Sequence, residues 1–181
     1  MLLLCALSLL PAVGAEAAAK DKLPFKTPVD PRSLPDTALI ETTKGFIEIE
    51  FYREHAPITI KNFEHLARKG FYNNLLFHRV VENFVVQGGD PAGTGKGGPG
   101  YTLPPEFSDI KHIRGTIGQA RMASEVNPGR TSNGSQFYIC MKRAPHLDGL
   151  YTVFARVING MEVVDSLTEE DRIKAIHFPK R

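Results

Sequence analysis

The stretch FHRVVENFVVQGGD, Phe77 to Asp90, is the most informative part of the sequence because it holds two short apolar runs separated by a tight polar turn. Such a pattern predicts a β-hairpin with strands at 77–81 and 84–88. Because side chains alternate between the two faces of a strand, the hairpin can set Arg79 beside Gln87 on adjacent strands. Two large polar groups in an otherwise apolar hairpin require either a partner or a function.

Short alternating segments recur along the rest of the chain. The sequence TALIETTKGFIEIEFY predicts a second hairpin at 37–52, since Ile47, Ile49 and Phe51 fall on one face. Further strands are predicted near 116–117 and at 135–141, 151–157 and 172–178. Helical spacing of apolar residues predicts helices at 58–69 and 160–167. Many short strands with two helices predict a mainly β fold, a closed eight-stranded antiparallel β-barrel capped by two α-helices.

Length and charge indicate one ordinary globular domain with an extension. The chain has 181 residues, of which 42% are hydrophobic and 23% are charged. Its 22 basic and 20 acidic residues leave a net charge of +2, which gives no indication of a nucleic-acid or anionic-membrane partner. We expect residues 1–18 to be a signal peptide, 19–36 an extended Pro-rich linker and 37–179 the functional domain.

The N-terminal segment MLLLCALSLLPAVGAEAAA is apolar and ends in small residues. It is shorter than the roughly 20 apolar residues of a membrane span, and it resembles a secretory signal that lacks the usual basic start. We therefore expect a periplasmic or secreted protein with no membrane contact after signal removal; the alternative is a tail without fixed structure. Cys5 would leave with the signal, so Cys140 is expected to be a buried, apolar, unpaired cysteine.

The glycine-rich loop PAGTGKGGPG contains the spacing Gly93-x-Gly95-x-x-Gly98, which matches a dinucleotide fingerprint. Pro99 and Gly100 follow where a helix should begin, so the structural context of a nucleotide site is missing. Glycines in such a loop instead indicate a close approach to another group. The six histidines have no metal-ligand spacing, and we therefore predict neither a cofactor nor a metal.

Four separated stretches carry a resemblance to a known family. FHRVVENFVVQGGD, GTGKGG, SNGSQFYI and HLDGLYTVFARV occur in the order found in the cyclophilin family of peptidyl-prolyl cis–trans isomerases, and the similarity runs over 37–178. The chain most resembles the shorter bacterial-type members. The resemblance implies catalysis of rotation about X–Pro bonds without a cofactor. It also implies proline-containing unfolded or loop segments of client proteins as partners, and we expect a monomer.

The resemblance further implies twelve site residues with distinct roles. Arg79 would be the catalytic arginine, held together with the substrate backbone by Gln87. The proline ring would lie against Phe84, Val85, Tyr138 and Leu147. The groove for residues before proline would be bordered by Gly93, Ala120 and Arg121, and the substrate chain would contact Gln136. The best-known members carry tryptophan and histidine at the positions of His146 and Tyr151.

Two questions stay open on the sequence alone. Arg79 could be a charge at the barrel rim, paired with a carboxylate in a purely structural domain. The groove could also belong to a proline-peptide-binding module or holdase chaperone whose turnover is incidental. His146 in place of tryptophan lacks the large apolar face of an indole, so we expect weak cyclosporin binding.

Overall fold

Nine antiparallel strands form the main sheet of residues 23–179, the part of the chain that the computed structural model describes. Two further strands form a small second sheet, so this region has eleven strands. In chain order they are β1 (Thr37–Thr42), β2 (Gly45–Phe51), β3 (Leu75–Leu76), β4 (Arg79–Val81), β5 (Val85–Gly88), β6 (Thr102–Leu103), β7 (Thr116–Gln119), β8 (Ser132–Asn133), β9 (Phe137–Cys140), β10 (Val153–Asn159) and β11 (Arg172–His177). The strand order of the main sheet is β3-β11-β1-β2-β10-β7-β9-β5-β4, and β6 pairs with β8 separately. The two α-helices of this region are α1 (Pro57–Arg68) and α2 (Met161–Ser166).

The mainly β prediction is confirmed, but the predicted closed, eight-stranded barrel is wrong in closure and in strand number. The main sheet is an open, curled half-barrel whose edge strands are β3 and β4. Only Phe77 and His78 separate these two strands in the chain, and Phe77 is fully buried. β3 pairs with β11 and β4 pairs with β5, and no ladder joins the two edges of the described sheet.

The first hairpin and the first helix form where the sequence predicts them. The turn between β1 and β2 is held by the Thr42 hydroxyl, which donates to the Gly45 carbonyl over 2.8 Å and accepts the Gly45 N–H over 3.1 Å. In α1, Pro57 occupies the first turn, where its missing N–H costs nothing. Gly70, with φ of +71°, follows the end of the helix.

The hydrophobic core lies between the concave face of the sheet and α1. Its centre is the ring of Phe63, whose centroid lies 5.1–5.6 Å from the rings of Tyr72, Phe137 and Phe154. These four side chains are essentially fully buried. The core therefore fixes α1 against the strands that also carry the candidate site, because Phe137 begins β9.

The segment before β1 packs on this domain over the residues that are described. Leu34 is only 1% exposed, and Val29 packs against the same core. Between them, Pro31–Ser33 forms a 3-10 turn in which the Asp30 carboxylate accepts the Arg32 N–H. The predicted signal peptide, residues 1–18, and Cys5 within it lie outside the described residues.

Candidate active site

Two neighbouring cavities lie on the face of β5 and β9 opposite the hydrophobic core, beside the loops that follow β7 and β9. The first has a volume of about 220 Å³ and is lined by Arg79, Phe84, Val85, Gln87, Ala120, Arg121, Tyr138, Leu147 and Tyr151. Nine of the twelve predicted site residues thus surround one cavity. The second cavity, about 310 Å³, shares Gln87, Ala120 and Arg121 with the first, and Gln136 is in its wall.

The hairpin of β4 and β5 places Arg79 directly opposite Gln87, as strand alternation predicts. Arg79 Nη1 donates to Gln87 Oε1 over 3.4 Å, and the Arg79 guanidinium carbon lies 5.7 Å from the ring centre of Phe84. Within residues 23–179, Arg79 forms no ion pair with a carboxylate. Its positive charge therefore remains available to a group that enters the cavity.

A chain of side-chain amides fixes the orientation of Gln87. Gln87 Nε2 donates to Gln136 Oε1 over 2.9 Å, and Gln136 Nε2 donates to the carbonyl oxygen of Gly97 over 2.8 Å. A backbone carbonyl can only accept, so Gln136 must direct its NH₂ group toward Gly97 and its oxygen toward Gln87. Gln87 in turn presents its own oxygen to Arg79. The Gly97 carbonyl thus fixes which end of each amide, oxygen or NH₂, faces the next residue in the series that ends at the Arg79 guanidinium.

The glycine-rich loop carries Gly97 because it wraps closely around a buried carboxylate. Asp90, 1% exposed, accepts N–H groups from Ala92 at 2.7 Å, Thr94 at 3.0 Å and Gly97 at 3.2 Å. Burial by itself raises the pKa of Asp90, but these backbone donors outweigh it, and the pKa is lowered. A Cβ at residue 97 would overlap Asp90 Oδ1, which explains why this position is a glycine.

The floor of the first cavity is apolar and is supported by a buried polar chain. Tyr138 is 5% exposed, and its hydroxyl lies 2.9 Å from His112 Nε2. His112 Nδ1 lies 3.1 Å from Asp148 Oδ1, and Arg143 pairs with Asp148 at 2.8 Å. Since the carboxylate accepts, Nδ1 carries the imidazole proton and Nε2 accepts from Tyr138. The phenol hydrogen is therefore engaged inside the protein, and the ring faces the cavity.

The surroundings shift the pKa values of the groups in this hydrogen-bonded series. Burial lowers the pKa of His112, although Asp148 acts against it. The hydrogen bond from Arg143 is the largest cause that lowers the pKa of Asp148. Burial also raises the pKa of Tyr138 well above its usual value. At neutral pH the hydrogen-bonded series therefore consists of a neutral tyrosine, a neutral histidine and a carboxylate paired with Arg143.

Two of the twelve predicted residues, Gly93 and His146, line neither cavity, and other residues were missed. Gly93 lines neither of the two cavities, whereas Gly95 lines the second. His146 is exposed at the rim and its ring stacks on Phe84 with centroids 5.5 Å apart. Sequence reasoning overlooked His112 and Asp148; the only available signal was the position of Asp148 directly after His146 and Leu147 in the HLDGL stretch.

The cysteine of the described residues is buried, and their possible metal ligands do not cluster. Cys140 is fully buried, as predicted, and burial raises its pKa to about 11, so the thiol stays protonated at neutral pH. Residues 23–179 contain no group of three or more His, Cys, Asp or Glu side chains placed to hold a metal ion. In the same region, neither helix has the length and apolar character needed to cross a bilayer.

A curled antiparallel sheet carries a cavity with an apolar floor and an arginine that pairs with no carboxylate of residues 23–179, and comparison with known proteins shows this to be the site of an isomerase family. Residues 37–177 match the family described as cyclophilin type peptidyl-prolyl cis-trans isomerase/CLD. A peptidyl-prolyl cis-trans isomerase of Synechococcus elongatus is 45% identical over 141 residues, which cover 77% of this chain and 93% of that protein. Peptidyl-prolyl cis-trans isomerase B of Bacillus subtilis is 45% identical over 130 residues, covering 72% and 88%.

Solved structures agree with the sequence relatives. A crystal structure of a cyclophilin type peptidyl-prolyl cis-trans isomerase from Cryptosporidium parvum superposes with a TM-score of 0.73 and 30% identity, covering 81% of this chain and 99% of that one. Its structure in the presence of the dipeptide Ala-Pro gives a TM-score of 0.72. The chain belongs to the cyclophilin-type peptidyl-prolyl cis-trans isomerase family, and it is an isomerase.

Proposed function

We propose that this protein accelerates rotation about X–Pro bonds of client proteins and so assists their folding, with Arg79 as the electrostatic catalyst. The observation that carries the proposal is the Arg79 guanidinium, which lines a cavity with an apolar floor and is hydrogen-bonded to a neutral amide rather than to a carboxylate. The presence of Ala-Pro with the Cryptosporidium relative supports a proline-containing peptide as the ligand class.

The chemistry requires no cofactor. Amide resonance gives an X–Pro bond partial double-bond character and a barrier of about 18–20 kcal/mol. In the twisted state the resonance is lost, and the nitrogen regains a lone pair that accepts a hydrogen bond. A permanent donor such as Arg79 stabilises that state more than either planar isomer, and this difference in binding is catalysis. An acceleration of roughly 10⁵-fold needs about 7 kcal/mol of such stabilisation.

The cavity holds one side of the rotating bond still. Val85 and Leu147 are 2% and 8% exposed, and together with Phe84 and the ring of Tyr138 they offer an apolar surface to a proline ring. The preceding carbonyl then turns in front of Arg79 and Gln87. Gln87 positions the guanidinium without neutralising it, since an amide oxygen carries no net charge.

Replacement of Arg79 tests the proposal directly. Arg79→Ala should lower kcat/KM for cis–trans exchange of a proline peptide by about 10²–10³, the usual effect of losing one donor to a transition state. Arg79→Lys should recover only part of the activity because the fork of donors is lost. Residual activity of Arg79→Ala within about threefold of wild type is incompatible with a catalytic arginine.

A refolding assay separates an enzyme from a peptide-binding module or holdase. A catalyst speeds a proline-limited refolding reaction at substoichiometric concentration, because such phases otherwise take about 10–100 s. A binder without turnover is needed in stoichiometric amounts. Export, a monomeric state and weak cyclosporin binding stay predictions, and N-terminal sequencing of the mature protein, sedimentation and a cyclosporin titration test them in turn.

A further inference from the structure

Arg121 lies between the two cavities together with Gln87 and Ala120, because all three line both. The charged residues that line the first cavity are Arg79 and Arg121. Among the described residues, Arg121 is the charged residue that lines the second. No carboxylate from residues 23–179 lines either cavity. A peptide side chain that enters the second cavity therefore meets a positive field.

The guanidinium of Arg121 is held firmly, and only by neutral groups. Its Nε donates to the Leu150 carbonyl over 2.9 Å, and its Nη1 donates to the Met122 carbonyl over 2.9 Å and to the Ser124 hydroxyl over 3.3 Å. The guanidinium carbon lies 4.4 Å from the ring centre of Tyr151.

Two features follow from these contacts. Within the described chain, Nη2 of Arg121 makes no hydrogen bond, and the charge forms no ion pair although Glu125 belongs to the same loop. A cation that is fixed in position and has no ionic partner is preorganised to bind an anion, because its side chain loses little further entropy on binding.

We propose that Arg121 makes this isomerase select substrates with an acidic side chain, glutamate above all, in the two residues that precede the proline. The inference rests on the proposed function, which seats the proline ring in the first cavity. Successive residues of an extended chain lie about 3.3–3.6 Å apart, so a chain that continues from the first cavity into the second passes Arg121 within about two residues of the bound proline.

The wall of the second cavity favours glutamate over a shorter acid. Met122 and Val126 line this cavity and are 59% and 69% exposed. Their apolar surfaces can cover the methylene groups of a glutamate side chain while its carboxylate reaches the Arg121 guanidinium. Aspartate has one methylene fewer and makes less of this contact.

Matched peptides measure the preference. Glutamate, glutamine and lysine are placed in turn at each of the two positions before proline in one peptide, and kcat/KM for cis–trans exchange is compared. At one of these positions we expect glutamate to exceed glutamine by about three- to fivefold at low salt, as for a partly exposed ion pair. The ratio should shrink toward one at about 1 M salt, where the Debye length is about 3 Å.

Substitutions at Arg121 assign the effect to this residue. Arg121→Gln should bring the glutamate-to-glutamine ratio to about one, and Arg121→Lys should retain a ratio above one. Lys69→Gln, an exposed charge change at the end of α1, is the matched control and should leave the ratio as in wild type. The ratio is insensitive to a general loss of packing against Tyr151, which would lower both rates together.

The outcomes separate this inference from the proposed function. Equal rates for the glutamate and glutamine peptides in wild type, or an unchanged ratio in Arg121→Gln, overturn the role of Arg121 while turnover of the glutamine peptide still supports an isomerase. Absence of turnover for every peptide overturns both. A ratio that depends on Arg121 and on salt supports the selection of acidic substrates.

Discussion

A neutral partner suits a catalytic arginine better than a carboxylate does. A carboxylate beside Arg79 would hold the guanidinium in place but would also cancel most of the field that a twisted amide needs. Gln87 holds it through an oxygen whose direction is set by Gln136 and Gly97. The order of donors and acceptors in this chain is therefore a functional feature, since a reversed Gln87 amide would point NH₂ at the cation.

Tyr138→Phe tests the polar chain under the cavity. The substitution keeps the apolar ring but leaves His112 Nε2 as a buried acceptor without a donor. We expect the free energy of unfolding to fall by about 1–3 kcal/mol, the usual cost of a buried group left unsatisfied. Turnover should change by less than about tenfold, because the loss is not in the transition state. Urea denaturation and peptide exchange measure the two effects.

Tyr151→Phe is the matched control for that experiment. The Tyr151 hydroxyl makes no hydrogen bond within residues 23–179, so its removal should change the free energy of unfolding by less than about 0.5 kcal/mol. Equal losses in the two variants would mean that the bond between Tyr138 and His112 contributes nothing specific.

At the scale of single elements, the glycine-rich loop connects a buried carboxylate to the catalytic hairpin. Gly97→Ala should push the loop away from Asp90 and withdraw the carbonyl that orients Gln136. We expect kcat/KM to fall by about tenfold or more, since displacements of about 1 Å near a site can cost up to 10². Gly129→Ala, where a Cβ meets nothing closer than 4.0 Å, should leave kcat/KM within about threefold of wild type.

Wild-type activity in Gly97→Ala would show that the loop does not orient the amide chain. A second measurement keeps that result interpretable. The NMR signals of the Gln87 and Gln136 side-chain amides should shift in Gly97→Ala and stay in place in Gly129→Ala. Unchanged amide signals together with lost activity would point to a different effect of the loop.

Sequence alternation predicted the elements that are long enough to show a period. β1, β2, β10 and β11 have six or seven residues each, and the β4–β5 hairpin was recognised from its two apolar runs. The strands β3, β6 and β8 have two residues each, which is too short for any alternation. The closure of the sheet was mispredicted because alternation within a strand does not show whether the two edge strands, β3 and β4, pair with each other.

In the candidate site too, some contacts could be predicted from local alternation and others could not. Arg79 and Gln87 are eight residues apart in one hairpin, so local alternation places them together. His112, Tyr138 and Asp148 come from three separate segments, and Gly97 meets Gln136 across 39 residues. Such contacts depend on the tertiary fold, and residue patterns alone do not reveal them. The resemblance to a family supplied Tyr138, but not His112, Asp148 or Gly97.

For the whole molecule, burial of His112 makes stability depend on pH. Because the pKa of His112 is lowered in the folded protein, the unfolded chain binds the proton first as the pH falls. The stability from neutral His112 is therefore fully present above the unfolded value of about 6.5 and is lost as the pH drops toward the folded pKa. The lowered pKa of Asp148 adds a second loss, which begins only below its unfolded value of about 3.9.

His112→Gln isolates the first of these losses. We expect the free energy of unfolding of wild type to fall between about pH 7.5 and about pH 5, on either side of the ordinary histidine value of about 6.5. The fall should be smaller in His112→Gln, because glutamine does not titrate, even though that variant is less stable at every pH. His55→Gln, at an exposed position, should show the same fall as wild type. Urea midpoints at the two pH values measure this fall in stability. An identical fall in wild type and His112→Gln would show that proton uptake by His112 does not control acid stability.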